Sequence, residues 1–356
     1  ETRALVPDPI VTVGLREALH YNVSSWRREF DTSWPSWRRA LRDWMTRAGL
    51  PAAAWPRLAD AVMTGSQLIA GFAGFLRAAG IRAVVVEHDR MQTSACLVLA
   101  AQSCGVASFT LVHGVMNQGA FGFVPVLADH VLAWGGIDRQ ILIDAGTPPD
   151  RITITGCPRL SRSLDADREA SRRKTGLPPD GRLVLLATAN FRADQRAILA
   201  RTFCEAATGS GGFAAAVRLH PSERMADYRE LAVAFPAVQF VDNAIWSLDE
   251  ALAAADVVVV HNSGFGSDAL MKGRPVVVLD CLDLPLGHGQ LLAERANCPV
   301  ARDAAALRAV IARLANDAAF RDDCLARGEA FLKEFVAFTG DEAAVRIATA
   351  ILAGRE

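Results

Sequence analysis

Two short polar segments in the second half of the chain combine residue types suited to phosphate chemistry. Arg218-Leu219-His220-Pro221-Ser222-Glu223 closes one aliphatic run. Val260-His261-Asn262-Ser263-Gly264-Phe265-Gly266-Ser267-Asp268 closes another and opens a helix pattern. Serine and glycine at a helix start let backbone N–H groups and a hydroxyl approach a phosphate, which the helix dipole also favours. His220, flanked by Pro221 and Ser222, adds a donor or a positive charge. Asn262, Ser263, Gly264, Gly266 and Ser267 form the turn, and Asp268, about a turn into the helix, is placed to accept from ribose hydroxyls. Each segment has a purely structural alternative: Asn262 and Ser263 capping the helix, and His220 packing on the surface. Together, on strands of one domain, they point to a nucleotide site.

The first half offers two more polar tips. Glu87-His88-Asp89 follows the aliphatic run 83–86, and His113-Gly114 follows 108–112. Glu87, Asp89 and His113 are the candidates for proton transfer; a helix-capping cluster and a turn residue are the structural alternatives. No His/Cys/Asp cluster has metal-ligand spacing.

These tips require parallel β-strands to position them. From residue 83 the chain alternates short aliphatic runs with helical patterns, the signature of βαβ units. Runs at 83–86, 108–112, 130–134 and 152–155 read as strands of a first domain, with helices at 91–103 and 138–145. A polar, basic stretch at 161–181 reads as a linker. Runs at 183–188, 215–219, 238–241, 257–260 and 275–279 read as strands of a second. After Asp303, Leu307, Val310, Ile311 and Leu314 keep the spacing of one apolar helix face. Thr339 and Glu342 have capping-box spacing before a last helix. The expected division is 1–165, 180–340 and a terminal helix, 341–356, returning to the first domain. In such open sheets ligands sit beyond the carboxyl ends of the strands.

The first 80 residues differ. Trp26, Trp34, Trp37, Trp44 and Trp55 are mixed with Arg27, Arg28, Arg38, Arg39 and Arg42, and residues 58–76 carry a long amphipathic pattern. Residues 26–55 have three readings: an interfacial helix on anionic lipid, an acceptor-binding surface, or aromatic packing beneath the first sheet with solvated arginines.

Composition bounds the function class. The 356 residues are 51% hydrophobic, enough for two cores. The 38 Lys plus Arg against 39 Asp plus Glu give a net charge of -1, which excludes a general nucleic-acid binder. Seven unpaired-looking cysteines, without a C-x-x-C pair, read as buried thiols in a reducing cytoplasm. No run of about 18 apolar residues is present to span a membrane. No secretory signal pattern opens the sequence, which begins at Glu1 and leaves room for a longer parent protein.

The order Val257-Val258-Val259-Val260-His261-Asn262-Ser263-Gly264, then Asp268-Ala269-Leu270, then Gly273-Arg274-Pro275-Val276-Val277-Val278-Leu279 resembles the nucleotide-binding half of GT-B glycosyltransferases. His220-Pro221 resembles the His-Pro motif of bacterial sialyltransferases and Kdo transferases, and a similar His of CDP-glycerol-type polymerases. Leu111-Val112-His113-Gly114, Ala128–Gly135 and Ile154-Thr155-Gly156-Cys157-Pro158-Arg159-Leu160 are similar to surface-polysaccharide enzymes and hydrolysing UDP-N-acetylglucosamine 2-epimerases. The resemblance covers about residues 83–290.

It implies two doubly wound Rossmann-like domains facing a cleft, with a helical Trp/Arg-rich start. It further implies a cytoplasmic, metal-independent glycosyltransferase with no cofactor, the nucleotide-sugar being a substrate. The donor would be a CMP-linked keto-sugar acid or a UDP-sugar, and the acceptor a surface glycan or a protein; peripheral contact with the inner membrane goes with the interfacial-helix reading of residues 26–55. On this reading His220, Ser263 and the backbone after Gly264 stabilise the leaving phosphate, and one of Glu87, Asp89 and His113 is the base. The alternatives are a 2-epimerase, a CDP-alditol polyol-phosphate transferase and a non-catalytic nucleotide-sugar-binding subunit. The acidic cluster that epimerases carry after the return strand has no clear counterpart in 280–289, which favours transfer.

Overall fold

The computed structural model describes residues 23–116, 120, 122–208 and 212–354. Helices α1 (Val23–Arg47) and α2 (Trp55–Ala78) form an antiparallel hairpin. Trp26 Nε1 donates to Ser66 Oγ across 3.2 Å, and the Trp34 ring lies 6.4 Å from that of Trp55. Leu68, Phe72 and Leu76 form the buried stripe of α2. They meet Val84 and Val86 of β1 (Ala83–Val86) and Cys96 and Val98 of α3 (Gln92–Ser103). Burying each large apolar side chain here is worth about 1.5–3 kcal/mol. The Trp-rich segment thus packs on helices at the flank of the first sheet.

That sheet is parallel, in the order β1-β2-β3-β4, with β2 (Ala107–Leu111), β3 (His130–Ala133), α4 (Gly136–Asp144) and β4 (Ile152–Ile154) following in sequence. Among the described residues β1 and β4 are its edge strands.

The basic stretch after β4 is an ordered clamp rather than a free linker. It contains α5 (Arg168–Arg173), whose Arg172 is only 1% exposed. Arg172 donates to the Ala254 carbonyl and to Asp256, and Arg168 pairs with Asp256 at 2.8 Å. Asp256 Oδ2 also accepts from the Leu183 backbone N–H. A buried guanidinium requires such saturation with acceptors, and here it binds the stretch to the second domain.

The second domain is built from β5 (Arg182–Ala187), α6 (Ala193–Thr208), β6 (Phe213–Arg218), α7 (Arg229–Ala234), β7 (Val238–Val241), α8 (Leu248–Ala254), β8 (Val257–Val260), α9 (Phe265–Met271), β9 (Val276–Leu279), α10 (His288–Glu294), β10 (Val300–Ala301) and α11 (Ala304–Asn316). The six strands are parallel in the order β10-β9-β8-β5-β6-β7. Alternate residues feed two cores. Leu183, Leu185, Val258 and Val260 face one, and Val184, Leu186, Val257 and Val259 the other. This two-sided burial is why these strands read as continuous apolar runs. Asp303 caps α11 by accepting from Ala306 N–H at 2.7 Å, and Leu307, Ile311 and Leu314 are its buried face.

The chain then crosses back. After α12 (Ala318–Phe335), Ala337 N–H donates to the Trp134 carbonyl and Cys157 N–H to the Phe338 carbonyl, each at 2.9 Å. Gly156, at φ +82°, allows this approach: a Cβ there would lie 2.1 Å from the Phe338 oxygen. Helix α13 (Gly340–Ala353) brings Gly354 against Phe109 of β2. Thr339 occupies the N-cap of α13, but its side chain makes no capping bond. The capping-box expectation fails there: Thr339 has an ordinary extended N-cap backbone and forms an isolated parallel bridge with Cys157, but its hydroxyl does not bond the helix start.

Candidate active site at the facing strand tips

In the second sheet the strand order reverses between β5 and β8, where open α/β sheets bind ligands. Ala187 is opposite both Arg218 and Val260. The register therefore aligns Thr188-Ala189-Asn190, Leu219-His220-Pro221 and His261-Asn262-Ser263 at one edge.

His220 is fixed by a buried carboxylate. Glu223 Oε2 accepts from Thr188 Oγ1 at 2.5 Å, from His220 N–H at 3.0 Å and from Tyr228 OH at 2.9 Å. The imidazole is also oriented. Nδ1 accepts from Ser222 N–H at 3.2 Å and lies 2.7 Å from Ser222 Oγ. A neutral His220 therefore carries its proton on Nε2, as a donor. Ser222 serves His220 rather than a ligand directly, and Pro221 is exposed at the turn.

The turn after β8 divides its work. Ser263 Oγ accepts from Phe265 N–H at 3.3 Å, leaving its hydroxyl proton available to a ligand. The amides of Gly266, Ser267 and Asp268 donate to the carbonyls of Ser263 and Gly264, so they belong to the turn itself. Gly266 is required for packing, since a Cβ would lie 2.5 Å from Leu292 Cδ1. Ser267 is buried. Asn262 Oδ1 accepts from His288 N–H at 2.9 Å and holds the 280–287 loop in place. Of this turn, the Ser263 hydroxyl and the backbone around Gly264 remain the candidates for phosphate contact.

Asp268 lies 3.6 Å from Arg159 of the segment after β4, joining the two domains. Burial raises its pKa, against the opposing effect of Arg159 and Lys272. Arg218 is 8% exposed, donates to Asn243 Oδ1 and stands over the Phe265 ring at 5.2 Å. Burial lowers its pKa.

In the first domain, His88, His113 and Phe123 form a column of stacked rings, with centroids 4.3 Å and 4.6 Å apart. The cavity beside them, about 10 Å³, admits a water but no sugar. His88 Nδ1 accepts from Arg90 N–H at 3.1 Å. Burial, and then His88, lower the pKa of His113; Glu87 and Asp89 oppose this. Glu87 is exposed. Asp89 is 3% exposed, and its Oδ2 accepts from the Leu127 and Ala128 amides at 2.7 and 3.1 Å. That carboxylate anchors the loop entering β3.

The two sets of tips meet. A methyl group on Gly264 would lie 3.8 Å from Val115 Cγ2 and 3.9 Å from His288 Nδ1. The segment His113-Gly114-Val115 therefore abuts the Asn262-Ser263-Gly264 turn, and His288 completes the junction. The reading of residue types gave no role to His288, Thr188, Glu223 or His261. Buried His261 holds the Leu279 carbonyl through Nδ1 at 2.8 Å, and its Nε2 has no protein partner, while His288 reaches the Val115 backbone. Polar atoms without partners in a buried place are the signal of a ligand or water position, and no sequence pattern records it. Among the described residues no group of three or more His, Cys, Asp or Glu is arranged to hold a metal ion, and no helix is long and apolar enough to cross a membrane.

Two parallel-sheet α/β domains with their tips opposed define a GT-B-like Rossmann architecture. Solved structures share it. A protein designated a UDP-N-acetylglucosamine 2-epimerase from Listeria monocytogenes aligns at TM-score 0.60 and 19% identity, over 81% of this chain and 78% of its own. The UDP-GlcNAc 2-epimerase of Neisseria meningitidis, bound to UDP-GlcNAc, aligns at TM-score 0.55 and 14% identity, over 81% of each chain. Anabaena Alr3699/HepE, in complex with UDP-glucose, aligns at TM-score 0.53 and 14% identity, over 80% of this chain and 82% of its own. No protein-family model matches the chain, and no curated protein matches it in sequence. At these identities the likeness is one of fold.

Proposed function

We infer that this chain is a glycosyltransferase that takes a nucleotide-activated sugar. The observation that carries this reading is the junction of the His113-Gly114-Val115 segment with the Ser263-Gly264 turn. It sets the strand tip that carries His113 against the turn that carries Ser263, which supports pairing a candidate base with a candidate phosphate donor. In the reaction, His113 accepts the proton of an acceptor hydroxyl as its oxygen bonds to the anomeric carbon. The bond from that carbon to the phosphate oxygen breaks, and the departing phosphate takes hydrogen bonds from His220 Nε2–H and the Ser263 hydroxyl. Asp268 and Arg218 flank the place for the nucleoside. Asp89 is buried and its Oδ2 serves the Leu127 and Ala128 amides, which favours His113, with Glu87 beside it, as the base.

UDP-sugars are the first donors to try, because proteins of this fold bind UDP-GlcNAc and UDP-glucose; CMP-linked keto-sugar acids come next. A thermal-shift panel of CMP, CDP, UDP, GDP and ADP selects the base, since a bound nucleotide raises stability by mass action. Donor turnover is then assayed with and without glycan acceptors. Transfer dependent on acceptor supports the reading. Conversion of the donor to its 2-epimer without acceptor overturns it in favour of an epimerase, and nucleotide binding without turnover in favour of a binding subunit.

A further inference from the structure

The helical hairpin carries an exposed surface that the catalytic reading does not use. At about 100° per residue, Trp26, Phe30, Trp34, Trp37, Leu41, Trp44 and Met45 of α1 fall within one arc of about 100°. Helix α2 covers only part of it. Trp26 is 9% and Met45 5% exposed, whereas Trp37 is 61%, Trp44 47% and Leu50, at the turn, 41% exposed. The uncovered residues all lie toward the hairpin's closed end.

The charge there is one-sided. Between residues 37 and 59 the chain carries Arg38, Arg39, Arg42, Arg47 and Arg57 against the single acidic residue Asp43. Arg42 is held over the Trp55 ring at 4.8 Å. By the same spacing Arg47 flanks Trp44 and Arg38 borders the other side of the arc, both exposed, whereas Arg39 lies on the opposite face of the helix. The whole chain has net charge -1, so this basic end is a local feature.

We propose that the closed end of the α1–α2 hairpin docks on an anionic lipid bilayer, with Trp37, Trp44 and Leu50 entering the interface and Arg38 and Arg47, at the borders of that arc, meeting lipid phosphates. Tryptophan suits this place because its ring is apolar while its indole N–H stays hydrated at headgroup level. Arginine near an anionic leaflet is attracted over about a Debye length. Neither term is sufficient alone; stable peripheral binding combines buried apolar area with basic charge. Docking would hold the enzyme beside a lipid-anchored acceptor, but the binding does not depend on catalysis.

The test is co-sedimentation of the whole chain with vesicles of phosphatidylcholine alone and with about one-third phosphatidylglycerol. Binding is expected only to the anionic vesicles and is expected to weaken in high salt. The pair Trp37→Ala and Trp44→Ala is expected to abolish it. Arg38→Gln with Arg47→Gln is expected to lower partitioning by about tenfold or more. All four side chains are exposed, and unchanged thermal unfolding and nucleotide binding verify that the variants fold. Absence of vesicle binding, equal binding to both vesicle types, or binding unaffected by these substitutions overturns the proposal. A dimer that the tryptophan substitutions dissociate, without vesicle binding, overturns it in favour of self-association.

Discussion

The Ser222 backbone N–H donates to Nδ1 of His220 across 3.2 Å, and this bond decides what the histidine offers a ligand. With Nδ1 occupied as an acceptor, the neutral ring presents Nε2–H outward. The side chain can then stabilise an anion without first being protonated.

His220→Ala and Ser263→Ala are each expected to reduce kcat about 10²-fold, the usual loss on removing one preorganised donor to developing charge. Ser222→Ala keeps the backbone donor and should cost much less. Steady-state kinetics with the identified donor checks this. Unchanged turnover in both principal variants would remove them from the leaving-group role.

Glu223 is buried behind the turn, and from there it fixes His220. Its carboxylate serves Thr188, the His220 amide and Tyr228 in a buried place. Glu223→Ala should destabilise the fold by about 2–4 kcal/mol because buried donors lose their acceptor. Tyr228→Phe removes one donor and should cost only about 1 kcal/mol. Urea denaturation of both variants distinguishes the two magnitudes.

The base assignment has a pH signature. Burial and His88 hold the pKa of His113 below the ordinary imidazole value of 6.5. His113 is therefore neutral and able to accept a proton at pH 7. The acid limb of kcat/KM should have its midpoint below 6.5, and His88→Ala, which removes a like charge at a 4.3 Å ring separation, should move that midpoint upward. A midpoint that His88→Ala leaves in place would point to another base.

Asp138 makes stability itself pH-dependent. Burial pushes its pKa from 3.8 up to about 7, against the Trp134 amide, which donates to Oδ2 at 3.0 Å. From about pH 4 the unfolded chain has released this proton while the folded chain still holds it. Stability is therefore highest below the unfolded value and falls as pH rises toward 7, on the order of 2–4 kcal/mol in total. Asp138→Asn should flatten this slope, as denaturant titrations at pH 5 and pH 8 would show.

Gly156→Ala probes the crossing of the chain back to the first domain. Its Cβ would meet the Phe338 oxygen at 2.1 Å, in a backbone conformation that side chains disfavour. A loss of more than about 2 kcal/mol is expected. Gly146→Ala, also at positive φ but with nothing within 4 Å, should cost about 1 kcal/mol or less and serves as the control.

Much of the architecture was legible in the chain because burial is written in local periodicity. Val257–Val260 is apolar throughout since both faces of β8 are covered, and its strand limits follow directly. The polar residues just beyond β1, β2, β6 and β8 could be located at strand tips for the same reason. Which partner each polar group bonds within the fold was decided by residues distant in sequence. Asn262 has the type and place of a ligand contact, but the His288 amide, 26 residues away, takes its oxygen. Asp89 has the type of a base, yet the Leu127 and Ala128 amides occupy it. The basic stretch at 161–181 has the composition of a linker, but Asp256 and the Ala254 carbonyl bind Arg172 into the second domain. Residue type states which bonds a side chain can make. Which of them it makes depends on the groups that folding delivers, and that includes the approach of Val115 and His288 to Gly264, which gives this chain its candidate active site.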